Sequence, residues 1–269
     1  MTEPYPSVSE PHAARHAASP TPAAIVVVPA RFGSTRLPGK PLAEIAGLPM
    51  VVRVARRGDA AGCGPVIVAT DDRRVIEACE AHGVRAVMTS PHHLSGSDRV
   101  HEAVEASGSA AEAVVVLQGD LPLIDPAHLR IALQTLASCD IATLATVINE
   151  ERERRDPNVV KVIGTPIEGT GTEAGDRLRA LYFTRATAPH GEGPLLHHVG
   201  LYAYRRDALR RFVGLPPGVL ERRESLEQLR ALENGMRIDV ALVDGQPLGV
   251  DAPGDLDRVR GVLAREAEQ

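Results

Sequence analysis

At 269 residues the chain can bury a large core without disulfide or metal staples, and it suits one large α/β domain or two small ones. A formal charge of −5 and a pI of about 6.1 exclude a broad nucleic-acid-binding surface. The longest apolar run, around Ala23–Val28, is far too short to span a bilayer, which excludes a transmembrane helix.

Residues 1–22 are rich in Pro, Ala, Ser and His and lack the basic start and apolar middle of a signal peptide. They read as a disordered tail ahead of a single domain over 23–269. The three cysteines, Cys63, Cys79 and Cys139, form no CxxC pair, which points to a reduced, cytoplasmic setting. All basic residues but Lys40 and Lys161 are arginine, a bias that fits a GC-rich genome.

Strand-like apolar runs then alternate with helical patterns. Strands are expected at Ala24–Val28, Pro65–Ala69, Arg85–Met88, Ala113–Leu117 and Ile141–Val147, with helices over about 49–61, 72–82, 97–107 and 125–137. Asp72 and Asp125 suit helix N-caps, Pro126 the first helical position, and Gly83 and Gly108 helix ends. Beyond residue 150 the pattern loosens. Strands are expected at Val159–Ile163, Leu178–Thr184, His198–Tyr204 and Ile238–Val243, with a mobile loop over 164–176 and helices over about 218–234 and from Pro253 onward. The fold class is α/β: a doubly wound, mostly parallel sheet with a mixed edge or small subdomain in the second half. In such sheets ligands bind beyond the carboxyl ends of the strands.

The stretch "PARFGSTRLPGKPL" over 29–42 follows the first strand and crowds Arg31, Arg36 and Lys40 into the loop before a helix. Like charges so close together need an anion between them; arginine offers bidentate bonds to phosphate oxygens and lysine a compact charge. The loop fits neither the P-loop pattern nor GxGxxG, which removes generic nucleotide loops and hydride-transferring dinucleotide enzymes. Asp120, after "AVVVLQG", and Asp251, after "GV", are expected at strand ends facing one cleft. Hard divalent cations take carboxylate oxygens, so the pair is a candidate Mg2+ site. His92–His93 and His197–His198 lack the spacing of a zinc site.

"PARFGSTRLPGKPL" resembles the signature of the cytidylyltransferases that make CMP-linked acids, above all the CMP-Kdo synthetase (3-deoxy-manno-octulosonate cytidylyltransferase) family. The likeness continues in order through "VATDD" (68–72), "SGSDR" (95–99), "QGDLP" (118–122), "DPNVVKV" (156–162), "ALYFTRATAP" (180–189), "HVGLYAYR" (198–205), "LERRESLEQLR" (220–230) and "GVDAPGDLDRV" (249–259). The resemblance implies a nucleotide-diphospho-sugar-transferase-like fold, CTP as co-substrate, Mg2+ on Asp120 and Asp251, and a homodimer. It divides the chain into a nucleotide-binding half, about 23–150, and an acceptor and dimer half, about 151–250. It assigns the triphosphate to Ala30, Arg31, Ser34, Arg36 and Lys40, and the cytosine and phosphate border to Thr70, Asp71, Ser95, Gly96 and Arg99. Gln118, His198, Tyr202, Glu221 and Glu224 are assigned to the acceptor, and Arg36, Lys40, Asp120 and Asp251 to catalysis.

Three departures bear on the acceptor. "QGDLP" has Leu121 where the family usually has an acidic residue, Leu94 replaces a usual Gln, and "HGEGPLLHH" is a shortened connection without the expected aromatic and arginine residues. Lost hydrogen-bonding groups suit a substrate with fewer hydroxyls. The expected acceptor is therefore a small phosphonate such as phosphonoformate, with Kdo as the alternative. A CTP-binding regulator without catalysis is the alternative of another class, and retention of both aspartates and the loop cations speaks against it.

Overall fold

The computed structural model describes residues 22–33, 37–167, 176–245 and 248–267; the expected tail and most of the expected loop over 164–176 lie outside them. The strands are β1 (Ala24–Pro29), β2 (Glu44–Ile45), β3 (Leu48–Pro49), β4 (Val66–Thr70), β5 (Ala86–Met88), β6 (Ala113–Leu117), β7 (Ile141–Val147), β8 (Lys161–Pro166), β9 (Arg177–Thr184), β10 (Leu196–Arg205) and β11 (Ile238–Leu242). The helices are α1 (Met50–Ala60), α2 (Arg73–Ala81), α3 (Gly96–Ala106), α4 (Pro126–Thr135), α5 (Glu151–Arg155), α6 (Arg206–Val213), α7 (Val219–Glu224), α8 (Leu229–Glu233) and α9 (Pro253–Ala267), with short 3-10 turns at Lys40–Leu42 and Leu136–Ser138.

Nine strands form one sheet in the order β5-β4-β1-β6-β10-β7-β11-β9-β8, and β2 and β3 make a separate hairpin. Continuous apolar runs such as "AIVVV" and "AVVVL" are what a parallel strand covered on both faces requires. Their side chains divide between two cores. Val26, Val28, Val115 and Leu117 pack with α1 and α4, while Ile25, Val27, Val114 and Val116 pack with α3 and α6. Both caps expected from sequence form: Asp72 Oδ1 accepts Arg74 N–H at 2.9 Å and Asp125 Oδ1 accepts Ala127 N–H at 2.8 Å. Gly83 and Gly108 close their helices at φ 71° and 68°, a region costly for residues with a Cβ.

The mixed part of the sheet is more central than expected. β10 runs antiparallel between β6 and β7, and its first residues also pair with β8. Strands β10, β7, β11, β9 and β8 therefore close on one another, with β9 the other strand of reversed direction. A register shift between Val199 and Tyr202, around Gly200, bends β10 where it leaves β6.

Two expectations need correction. The helix expected over about 218–234 is two short helices. Ser225 takes a left-handed conformation at φ 55° and ends α7, with Leu226 N–H closing back on the Glu221 carbonyl at 3.2 Å. Helix α6, anchored by buried Ala208, Leu209 and Phe212, follows β10 directly and went unread in the arginine-rich "RDALRRFV". No helix among the described residues is long and apolar enough to cross a membrane.

Candidate active site

The carboxyl ends of β1 and β6 open onto a cavity of about 230 Å3 lined by Ala30, Arg31, Lys40, Gln118, Asp120 and Asp251, among others. Lys40 sits at the start of the 3-10 turn and directs Nζ between two carboxylates, 2.9 Å from Asp120 Oδ2 and 3.2 Å from Asp251 Oδ1. The aspartates lie 131 positions apart in sequence and are joined by backbone: Val250 N–H donates to the Asp120 carbonyl at 2.9 Å. Asp255 fixes the far side, its Oδ2 accepting the N–H groups of Asp251 and Ala252 at 3.0 and 2.9 Å. Gly119 lets the strand end approach β1, since a Cβ there would lie 2.8 Å from the Pro29 carbonyl oxygen.

The basic loop is held from beneath. Phe32 N–H donates to Asp71 Oδ1 at 3.0 Å, and the Arg74 guanidinium lies over the Phe32 ring, 3.6 Å from its centroid. Asp71 Oδ2 accepts from Arg99 Nη2 at 2.8 Å, and Arg99 Nη1 donates to Thr89 Oγ1 at 2.6 Å. Thr89 in turn donates to the Thr70 carbonyl from both its N–H and its hydroxyl. Thr70 is fully buried and Arg99 is 4% exposed. Thr70, Asp71 and Arg99 are thus the scaffold of the loop. The side of Arg99 that remains open borders a second cavity of about 310 Å3, shared with Arg31, His93, Leu94, Ser95, Gly96 and Gln118. Ser95 caps α3 through Asp98 N–H at 3.1 Å and binds the Asp98 carboxylate at 2.9 Å.

A third cavity, of about 400 Å3, opens on the other side of Asp120 and Asp251. Its polar lining comes from Gln118, Asn158, His197 and His198, and its apolar wall from Leu121, Val160 and Val199. The Thr143 hydroxyl lies 2.8 Å from the Leu201 carbonyl and 2.9 Å from His198 Nε2. Burial, reinforced by His197 alongside, pushes the His198 pKa down to about 3, so the ring is neutral throughout the physiological range. Asn158 is set by its neighbour, with Asp156 Oδ1 accepting its backbone and side-chain N–H groups at 2.8 and 3.0 Å. The fully buried Lys161 fastens that turn by donating to the Asp156 carbonyl at 2.7 Å.

The structure thus brings Ala30, Arg31, Lys40, Gln118, Asp120, Asp251, Ser95, Gly96, Arg99 and His198 to one run of three adjoining cavities. Ser34 and Arg36 lie outside the described residues. Three residues expected at the acceptor stand elsewhere. Tyr202 is one layer back, in an aromatic stack 5.3 Å from the His198 ring and 5.8 Å from that of Tyr204, and burial raises its phenol pKa well above the usual value. Glu221 caps α7 through Gly218 N–H at 2.8 Å and grips Arg230 with both oxygens at 2.6 and 2.8 Å. Glu224 accepts from Thr184 Oγ1 at 2.8 Å and Arg185 N–H at 2.9 Å, fastening the end of β9. Sequence reading assigned no role to Asn158 or His197, although both fall in or beside stretches that carried the resemblance.

Among the described residues there is no group of three or more His, Cys, Asp or Glu side chains able to hold a metal. The Asp120–Asp251 pair nevertheless fits Mg2+ chemically. It offers hard oxygen donors, it already accepts the Lys40 ammonium as a cation, and Mg2+ needs only one or two carboxylates where substrate phosphates complete its shell.

A family model described as cytidylyltransferase matches residues 25–238, well over half the chain. The 3-deoxy-manno-octulosonate cytidylyltransferase of Mesorhizobium japonicum is 59% identical over 244 residues, covering 89% of this chain and 98% of that protein. The enzyme of the same description from Azorhizobium caulinodans is 60% identical over 244 residues, covering 89% and 95%. A solved structure of CMP:2-keto-3-deoxy-manno-octonic acid synthetase complexed with CTP superposes with a TM-score of 0.81 at 40% identity, covering 90% of this chain and 99% of that one.

Proposed function

The chain belongs to the 3-deoxy-manno-octulosonate cytidylyltransferase family, a group of nucleotidyltransferases, and from that premise we propose that it transfers the cytidylyl group of CTP to Kdo. The observation that carries the reading is the Lys40–Asp120–Asp251 cluster where the first and third cavities meet, with Gln118 lining all three. The side bounded by Arg31, Ser95, Gly96 and Arg99 takes CTP, and the side bounded by Gln118, Asn158 and His198 takes the acceptor.

The expected phosphonate acceptor is less well supported than Kdo. Relatives 57–60% identical over about nine-tenths of the chain are described as Kdo enzymes. Two of the three departures that favoured a phosphonate have local settings in the structure. Leu94 is 94% exposed, at the rim of its cavity. Leu121 is buried and packs toward Gly249 on the segment that carries Asp251. Leu121 does make one wall of the acceptor cavity apolar, but Gln118, Asn158, His197 and His198 still line it with donors and acceptors that suit a hydroxylated acid.

In the reaction the acceptor hydroxyl attacks the α-phosphate in line and pyrophosphate leaves, so catalysis rests on positioning and charge. Arg31 and Lys40 supply positive charge to the phosphates, joined by Arg36 on the resemblance. Gln118 and neutral His198 orient the acceptor, the latter as a hydrogen-bonding group rather than a cation. Mg2+ held by Asp120 and Asp251 would supply Lewis-acid polarisation of the phosphate. The proposal is tested by mass detection of the CMP-conjugate after incubation with CTP, Mg2+ and Kdo. Wild type is expected to form it and Asp120→Asn to form about 100–1000-fold less at unchanged thermal stability; equal yields would refute the assignment.

A further inference from the structure

Lys40 and Asp251 line one cavity from distant parts of the chain, Lys40 on the 3-10 turn Lys40–Leu42 and Asp251 two residues ahead of α9. The turn runs straight into the β2–β3 hairpin. Ala43 N–H donates to the Lys40 carbonyl at 3.1 Å, and Met50 N–H closes the hairpin onto the Ala43 carbonyl at 2.9 Å. On the other side, Asp255 in the first turn of α9 accepts the Asp251 and Ala252 N–H groups, so the Asp251 backbone goes where α9 goes. Two turns further, about 10 Å along the helix at 1.5 Å per residue, Arg260 reaches across to the hairpin. Its Nε and Nη2 both donate to the Glu44 carbonyl, at 3.0 and 2.7 Å, while Nη1 faces Asp257 at 3.4 Å. The next two carbonyls, of Ile45 and Ala46, accept from Arg53 Nη2 on α1 at 2.8 and 3.2 Å, so the hairpin is tied to both helices. Buried Leu256 and Val259 hold α9 to the same core as Ile45, but apolar contact is non-directional and sets the depth of a helix more than its position along its axis. A charged fork on a single carbonyl sets that position.

We infer that Arg260 is a positioning residue for the reaction: by fixing α9 to the hairpin that follows Lys40, it sets where Asp251 stands relative to Lys40 and to the phosphates bound beside it. Arg260 lines none of the three cavities, so its loss removes no substrate contact and acts only through the residues it holds in register. A misplacement of about 1 Å can cost about 100-fold in rate, and slack of part of that size is expected to cost about tenfold. The inference rests on the reading of the site as a Kdo cytidylyltransferase centre.

The test compares wild type with Arg260→Met, which keeps the stem and deletes the fork, and with Arg260→Lys, which keeps one cationic donor. Initial rates of pyrophosphate release from CTP and Mg2+ are measured over a range of Kdo concentrations, alongside the urea midpoint of each protein. Arg260→Met is expected to lower kcat about tenfold and to leave the KM for Kdo within about threefold, at a midpoint close to that of wild type. The split follows because Gln118, Asn158, His197 and His198, the polar wall of the acceptor cavity, lie outside both α9 and the hairpin. Arg260→Lys is expected to return kcat to within about threefold of wild type. A kcat for Arg260→Met within about twofold of wild type would overturn the positioning role. So would a fall in kcat accompanied by an equal rise in KM and a lowered midpoint, which marks a general loosening of the fold. Absence of turnover in wild type would instead remove the Kdo reading, and the inference with it.

Discussion

Arg99 was expected at the nucleotide, and the structure makes it chiefly the post on which the phosphate loop stands. Its guanidinium is paired with Asp71 at 2.8 Å, with side-chain exposures of 5% and 15%. Replacing Arg99 with Met leaves the Asp71 carboxylate largely buried with Phe32 N–H as its remaining described partner. Removing one member of a buried ion pair costs about 3–5 kcal/mol, and the partial access of Asp71 puts this case near 3. A domain of this size exposes enough surface on unfolding that 3 kcal/mol moves a urea midpoint by about 1 M. Because Phe32 and Arg31 follow Asp71, CTP affinity measured by calorimetry should fall together with stability. Adding Asp71→Asn should restore about 2 kcal/mol, since the second change removes the stranded charge. A midpoint shift under 0.3 M, or strictly additive losses in the double variant, would refute the reasoning.

Gly119→Ala should cost about 1–3 kcal/mol and about 100-fold in kcat, because its Cβ meets the Pro29 carbonyl at 2.8 Å and the strand end carrying Asp120 must shift; melting temperature and initial rates check it. His198 has a pKa near 3 in the fold against about 6.5 unfolded, so between these values the unfolded chain binds the extra proton. Its stability contribution is full above about pH 6.5 and declines as pH falls. At pH 5 the loss is at most about 2 kcal/mol, and solvent on the cavity side lowers it toward about 1. Urea unfolding at pH 7.5 and 5 should show that His198→Gln loses less than wild type. Glu221→Ala strands Arg230, whose side chain is 7% exposed, and should cost about 3 kcal/mol while leaving the KM for Kdo within about threefold. A folded variant with a KM raised more than tenfold would return Glu221 to the acceptor.

Much of this site could be read from the chain because its determinants are local. "AIVVV" followed by "PARFGSTRLPGK" places cations at a buried strand end, and "QGD" repeats the same logic with a carboxylate. "GVD" was expected at a strand end too, but no strand among the described residues leads into Asp251, which is brought to Asp120 by the Val250–Asp120 backbone bond instead. What stayed hidden depends on distance. Nothing within "SGSDR" says that Arg99 turns toward Asp71, 28 positions earlier, instead of into the cavity. The charges of "LERRESLEQLR" read equally as acceptor ligands or as caps. The choice is made by Arg230 and Thr184, which tertiary packing brings to Glu221 and Glu224. The same stretch contains no glycine to announce the break at Ser225, a conformation held by the Leu226–Glu221 backbone bond. The central position of β10 was invisible for a similar reason: alternation identifies a strand, but its neighbours are set by the long connections around it.

The central claim is cytidylyl transfer to Kdo, and the most direct measurement is pyrophosphate release from CTP and Mg2+ with Kdo or phosphonoformate in separate reactions. Turnover with Kdo and none with phosphonoformate is the predicted result. Turnover with phosphonoformate alone, or CTP binding with no turnover on either acid, would contradict it.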